Sequence, residues 1–390
     1  MGRTAEVVII GGGVTGASLA YHLTQRGVRD VLVLERRFLA SGGTGRSVGI
    51  IRQLYPTPET SQMALRSLRV LQRFREVVGG ESGYVGCGVL IGISEGMLPA
   101  VRKTMEIQQS IGIRAEFLAP EEARRMEPRI DLRGLGSILH EPESGYGDPA
   151  GVTLGFAAAA RARGVKIEQG VEVTGIRVVG DRVVGVTTSS GDAVDSPVVV
   201  NAAGLWSPAV ARLADVALPI IVGRHPVFVI KRPRSFGPAH LVYLDLAGGC
   251  YVRPETGDLT LTGSLTDDEA EHPTDPELLG SEVGFEEAAH ALERTCRSLP
   301  LLTAAEYQQG YVGVFDITPD WMPILDESPI RGFYIAAGMS GHGFKLSPVI
   351  GEMMAALITK ADPPVSAAPF RLTRFRDTAR SGSFVSSYLG

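Results

Sequence analysis

The chain has 390 residues, 44% hydrophobic and 21% charged, with a formal net charge of −5, long enough for two or three domains with substantial cores. The mild acidity excludes the broad basic field that a nucleic acid selects, and no block of Lys and Arg suits an anionic membrane surface. Cys87, Cys250 and Cys296 are odd in number, far apart and without CxxC spacing, which argues against a disulfide framework or a metal site and for a reducing cytoplasm.

In chain order, VVII at residues 7–10 is a short apolar run of the kind buried on both faces of a parallel sheet. It begins so early that no secretory signal is expected before it, and no later run approaches the roughly 18 apolar residues of a membrane span. Gly11, Gly13 and Gly16 follow in a G-x-G-x-x-G pattern. The first permits a tight turn, the second lets backbone approach a pyrophosphate, and the third lets helix pack closely on strand. The helix that starts there, with Val14 and Thr15 in its first turn, points free N–H groups and a positive dipole end at the phosphates. Gly27 ends it as a left-handed cap. A second apolar run, 31–34, leads into Glu35, 19 positions after Gly16, where an acid takes the ribose hydroxyls of an adenosine and disfavours a 2′-phosphate.

NAD and FAD share this fingerprint. FAD is favoured because no second unit of this type offers a site for a separate nicotinamide, and because SGGTGRSVGIIRQLY at 41–55 is a small-residue loop suited to running along a long cofactor. Helices are expected at 58–78, 97–111, 120–126 and 149–164, with strand-like alternation at 83–93 and turns at 141–148. From 165, the runs VKIEQG, VEVTGIRVVG and DRVVGVTTSSG read as a β-meander returning to a buried strand, PVVVN. Further strands are expected at 227–231, 241–246, 250–253 and 259–263, then a helix at 285–298. A buried strand at 333–337, a glycine loop and a closing helix from about 347 to 359 precede a polar, extended stretch from 361. Cofactor-binding pieces therefore fall at the start, middle and end of the chain. The fold expected is mixed α/β: a Rossmann-type FAD-binding domain over 1–82, 147–222 and 310–390, with an interleaved substrate domain over 83–146 and 223–309 built on a mostly antiparallel sheet.

The fingerprint with Glu35, GIIR at 49–52, NAAGLWS at 201–207, TPDWMPIL at 318–325 and AAGMSGHGFKLSP at 336–348 together resemble the FAD-dependent amine oxidoreductases of the D-amino acid oxidase superfamily. The likeness is in particular to sarcosine oxidase and to the β subunits of heteromeric sarcosine oxidases and amino-acid dehydrogenases, and it spans nearly the whole chain. It implies FAD held by Gly11, Gly13, Val14, Thr15, Gly16, Glu35, Arg36, Ser41, Thr44, Gly45, Val173, Ala203, Gly204 and Trp206. The loop of Gly338, Gly341, His342, Gly343, Phe344 and Lys345 adds to this set, and Arg46 either serves the phosphates or is exposed.

Arg52 and Lys345 are implied to hold a substrate carboxylate, the first as a bidentate fork and the second as a point charge. Tyr251 is either an aromatic substrate-site residue or a core tyrosine. His225 and His342 are weaker candidates, His342 as lining of the loop. The implied activity is oxidation of a small amino acid, a secondary amine of the sarcosine, dimethylglycine or proline type, by hydride transfer from the carbon next to nitrogen to flavin N5, giving an imine that hydrolyses. Oxygen or another acceptor takes the electrons, in a homo-oligomer or a heteromeric assembly. The alternatives are a 2-hydroxy acid oxidoreductase, an electron-relaying flavoprotein subunit and an NAD-dependent dehydrogenase.

Two departures matter. YVGVFDITPD at 311–320 lacks the cysteine through which some sarcosine oxidases tether flavin, so noncovalent FAD is expected. DLTLTGS at 258–264 lacks the lysine that activates oxygen in family oxidases, which opens the dehydrogenase reading.

Overall fold

The computed structural model describes residues 3–266 and 273–376. The Val7–Ile10 strand is buried at every position because it is central to a six-stranded sheet covered on both faces. The strand order is Ile324–Glu327, Phe333–Ala337, Val198–Asn201, Val7–Ile10, Val31–Glu35, Lys166–Gln169. All neighbours are parallel except Ile324–Glu327, which runs antiparallel to Phe333–Ala337. Alternate strand residues enter two cores. Val7, Ile9, Val31 and Val33 pack with the helices Val14–Gln25, Pro149–Arg161 and Gly343–Ile358. Val8, Ile10, Leu32 and Leu34 pack with the meander Val173–Val179, Arg182–Thr188, Ala193–Asp195 and with the helix Ser207–Arg212.

The expected meander loses its first member. Lys166–Gln169 pairs parallel with Val31–Glu35, because the helix Pro149–Arg161 returns it to that sheet as a crossover. Its edge position leaves it half exposed, which hides the parallel-sheet pattern.

The second sheet has eight strands in the order Glu306–Ile317, Ile221–Lys231, Leu259–Ser264, Cys250–Pro254, Val242–Asp245, Val89–Ile93, Ser137–Glu141, Glu116–Leu118. Every pairing is antiparallel except the one between Val242–Asp245 and Val89–Ile93. The strand expected at 83–93 is confined to Val89–Ile93, with one isolated bridge from Val85 to Tyr146. The helix expected at 58–78 breaks at Arg73 into Pro58–Gln72 and Phe74–Val77. The closing helix starts at Gly343, earlier than expected, and carries Pro348 inside it. The Phe344 carbonyl, deprived of an amide partner by that proline, accepts from the Ser347 hydroxyl at 2.8 Å.

The polar stretch from 361 contains two 3₁₀ turns, Ala368–Phe370 and Leu372–Phe375; its remainder, 377–390, lies outside the described residues. Among the described residues no helix is long and apolar enough to cross a membrane.

Candidate active site

Four strand ends, at Ile10, Glu35, Asn201 and Ala337, meet at one edge of the six-stranded sheet, the edge where such sheets bind ligands. Close approach explains two of the glycines. Gly11 has φ +114°, and a Cβ there would lie 2.4 Å from the Ala202 carbonyl oxygen; at Gly16 it would lie 2.0 Å from that of Gly11. Gly13 caps the first helix without a side-chain hydrogen bond, and Thr44 folds over the helix start by accepting from the Val14 amide at 3.1 Å. The buried Glu35 carboxylate accepts from the amides of Gly12 at 2.7 Å and Arg37 at 2.8 Å, with lone pairs remaining for hydroxyl donors. Asn201 braces the facing turn, donating to the Ser207 carbonyl at 2.9 Å.

From this edge a cavity of about 490 Å³ extends between the two sheets. Its first part is lined by Gly11, Gly13, Val14, Thr15, Glu35, Arg36, Ser41, Thr44, Arg46, Val173, Ala203, Gly204 and Trp206. Arg52, Tyr251, Gly341, His342, Gly343, Phe344 and Lys345 line it as well. Gly16, Gly45 and Gly338 do not reach it. A Cβ at Gly45 would meet the Ala40 carbonyl at 2.5 Å and one at Gly338 the Thr318 side chain at 2.4 Å, so these two, like Gly16, are packing glycines.

The charged end of the cavity holds Arg52 and Lys345. Arg52 is buried, stacks on the Tyr55 ring at 4.4 Å and donates to the Leu54 carbonyl. Lys345 Nζ donates to the Gly341 carbonyl at 3.1 Å, and burial together with the positive charge of Arg52 holds the amine well below the ordinary lysine range. Burial, with the neighbouring charges of Lys345 and Arg52, likewise holds the His342 imidazole well below the ordinary histidine range. Neither His342 ring nitrogen has a hydrogen-bond partner among the described residues, and a buried orphan pair on a cavity wall calls for a ligand to satisfy it.

The eight-stranded sheet supplies the opposite wall. His225 Nε2 lies 3.3 Å from the Tyr251 hydroxyl, and the His225 ring stacks on Phe315 at 4.2 Å. Asp316, also on the cavity, accepts from the Gly338 amide at 2.9 Å. Burial pushes its carboxyl up to about 6, against the opposing pull of backbone amides at 338–340. Phe315 and Asp316 escaped the sequence reading because their strand did; the one available signal was an acid set among apolar residues in VFDI. The TPD motif itself is structural: Asp320 forms a two-pronged ion pair with the buried Arg374 at 2.8 and 2.9 Å.

Comparison with known proteins fixes the cofactor. The chain matches the family described as FAD dependent oxidoreductase over residues 6–357. It belongs to that family. The uncapped helix start, the Glu35 acceptor and the orphaned His342 fit the pyrophosphate, ribose and ring portions that FAD brings. This flavoprotein is 30% identical over 383 residues to the mitochondrial sarcosine dehydrogenase of Homo sapiens, covering 95% of this chain and 41% of the relative, so it spans about two fifths of that protein's length. It is 30% identical over 378 residues to the sarcosine oxidase subunit beta of Rhizobium meliloti (strain 1021), covering 95% and 88% of the two chains. Among solved structures, L-proline dehydrogenase from P. horikoshii superimposes with a TM-score of 0.87 at 26% identity, covering 96% of this chain and 99% of that one.

Proposed function

We propose that this flavoprotein oxidises a small amino acid at its amine, a secondary amine of the sarcosine, dimethylglycine or proline type. The observation that carries the proposal is the co-burial of two cationic side chains, Arg52 and Lys345, in one cavity with the hydrogen-bonded His225 and Tyr251. Arg52 grips a carboxylate with its fork, and Lys345 recovers its ammonium by taking up a proton as the carboxylate arrives. That anchorage places the substrate's nitrogen and its neighbouring carbon toward the wall formed by His225, Tyr251 and Phe315. There the Tyr251 hydroxyl and the His225 imidazole hydrogen-bond the amine and hold its released proton away from the nitrogen lone pair. Bound FAD supplies the acceptor for hydride from the carbon next to nitrogen. Buried aromatic and aliphatic walls exclude water until the product leaves to hydrolyse.

Noncovalent attachment is supported by the absence of cysteine from 311–320. A reducing, cytoplasmic location is supported by three cysteines that are all free. The division into two domains at the expected boundaries is supported by the two sheets, although the strands Ile221–Lys231 and Glu306–Ile317 carry the eight-stranded sheet across the joins at 222 and 309.

A second reading, a dehydrogenase working as one subunit of a complex, is favoured by the strand Leu259–Ser264, which has no lysine, and by the relative named as a subunit. Product analysis tests the principal reading. N-Methylglycine should yield an aldehyde and the demethylated amino acid in equal amounts, and proline a cyclic imine. Formation of 2-oxo acids from 2-hydroxy acids alone would refute it.

A further inference from the structure

The segment 273–283 lies beside the end of the cavity lined by Arg36, Arg37 and Trp206. It is pinned to the eight-stranded sheet by backbone bonds from Thr274 to Val222 at 2.7 Å, Gly280 to Val312 at 2.7 Å and Val312 to Ser281 at 2.9 Å. Leu279 and Val283 pack into a small core with Leu205 and Trp206, which belong to the turn after the Val198–Asn201 strand of the other sheet. At its outer end Glu277 gathers three donors from loops of the six-stranded sheet: Trp206 Nε1 at 2.7 Å, Arg36 at 2.7 Å and Arg37 at 2.9 Å. Arg36 in turn stacks on the Trp206 ring at 4.0 Å. All three donors line the cavity, one pair from the loop after Glu35 and the other from the turn after Asn201, while Glu277 stands outside it.

We propose that 273–283 is a retaining strap for FAD and that Glu277 is its latch. The two loops flanking the adenosine end are held together by one carboxylate contributed from across the molecule, so the cofactor enters and leaves only when that carboxylate lets go. Arg36 and Trp206 form a stacked gate, and Glu277 fixes both of its leaves at once. Gly280 lets the strap pass close over the Arg46 side chain. It has φ +81°, and a Cβ there would lie 2.9 Å from Arg46 Nε. The proposal rests on FAD occupancy and not on the amine reading, so a substrate panel that fails leaves it standing.

The test is the rate at which the holoprotein releases FAD on dilution, followed by the rise in flavin fluorescence at low and high NaCl. Glu277→Ala should release FAD about tenfold faster at low salt, as the loss of several partly exposed polar contacts requires. Glu277→Gln, which keeps an acceptor for Trp206, should fall between. The parent rate should rise with NaCl as the ion pairs are screened, and the Glu277→Ala rate should not. A Glu277→Ala protein with an unchanged melting profile and the parent's release rate would overturn the proposal. If that variant does not fold, Glu277→Gln, which removes both ion pairs while keeping the side chain's volume, decides by the same comparison: faster release than the parent supports the latch and the parent's rate overturns it.

Discussion

In the proposed carboxylate grip Arg52 and Lys345 contribute differently, and the difference is measurable. Arg52 is a permanent charge with a planar fork, so Arg52→Lys should not restore what Arg52→Gln loses. Both should lower kcat/KM for a carboxylate substrate about 100-fold or more, the scale of about 3 kcal/mol for truncating one partner of a buried charge pair. Lys345 sits well below its usual range. Its charged form, the one that attracts an anion, is therefore lost as pH rises through that depressed value. The affinity for a short carboxylate lacking nitrogen should weaken with rising pH, and Lys345→Met should bind weakly with that dependence gone; titration of the flavin spectrum reads both. Asp316 works through stability. Its carboxyl rises from 3.8 in the unfolded chain to about 6 in the fold, so its contribution is fully present below 3.8 and lost as pH climbs through 6, by about 3 kcal/mol. Urea midpoints between pH 4 and 8 should fall less in Asp316→Asn than in the parent protein.

At the scale of elements, the packing of the first helix on the last decides whether the glycine loops are held in place. Gly351 of the Gly343–Ile358 helix lies against the Val14–Gln25 helix so closely that a Cβ would come within 2.6 Å of the Ser18 carbonyl carbon. Gly351→Ala should cost about 1–3 kcal/mol, seen as a lower melting temperature together with loosened flavin. Gly16→Ala should do more, because its Cβ would strike the turn that faces the phosphates.

The helix and strand that build this region were legible because each wears its period plainly: VVII is apolar throughout, and Gly27 closes the helix with φ +84°. The helices at 120–126 and 285–298 match their expected bounds, starting from Pro120 and ending before the turn at Leu299. The Glu306–Ile317 strand was not legible. Its first four residues are exposed and two glycines interrupt it, so half of the cavity's far wall, Phe315 and Asp316 included, had no signal in hydrophobic pattern. The early start of the closing helix was masked by Pro348, whose cost is met by a serine hydroxyl that periodicity does not register. Motif spacing made the glycine turn and the placing of Glu35 at the strand end legible, because both act through backbone geometry, which sequence distance preserves. The opposite wall of the cavity is made by strands far apart in the chain, and only folding brings His225 onto Tyr251 and Phe315.

For the whole molecule, two sheets close on one cavity, the six-stranded one supplying the edge with the glycine turn and Glu35 and the eight-stranded one the wall with His225, Tyr251 and Phe315. The proposed reaction requires that a small amino acid enter that cavity, carboxylate toward Arg52 and Lys345, and give up hydride from beside its nitrogen. The most direct measurement is anaerobic mixing of the holoprotein with N-methyl amino acids, cyclic amino acids and 2-hydroxy acids, followed in the flavin absorbance and then exposed to air. Bleaching by the amino acids is expected, lost in Arg52→Gln, with slow return of colour in air as befits a strand without lysine. Bleaching by 2-hydroxy acids alone, or by amino acids equally well in Arg52→Gln, would contradict it.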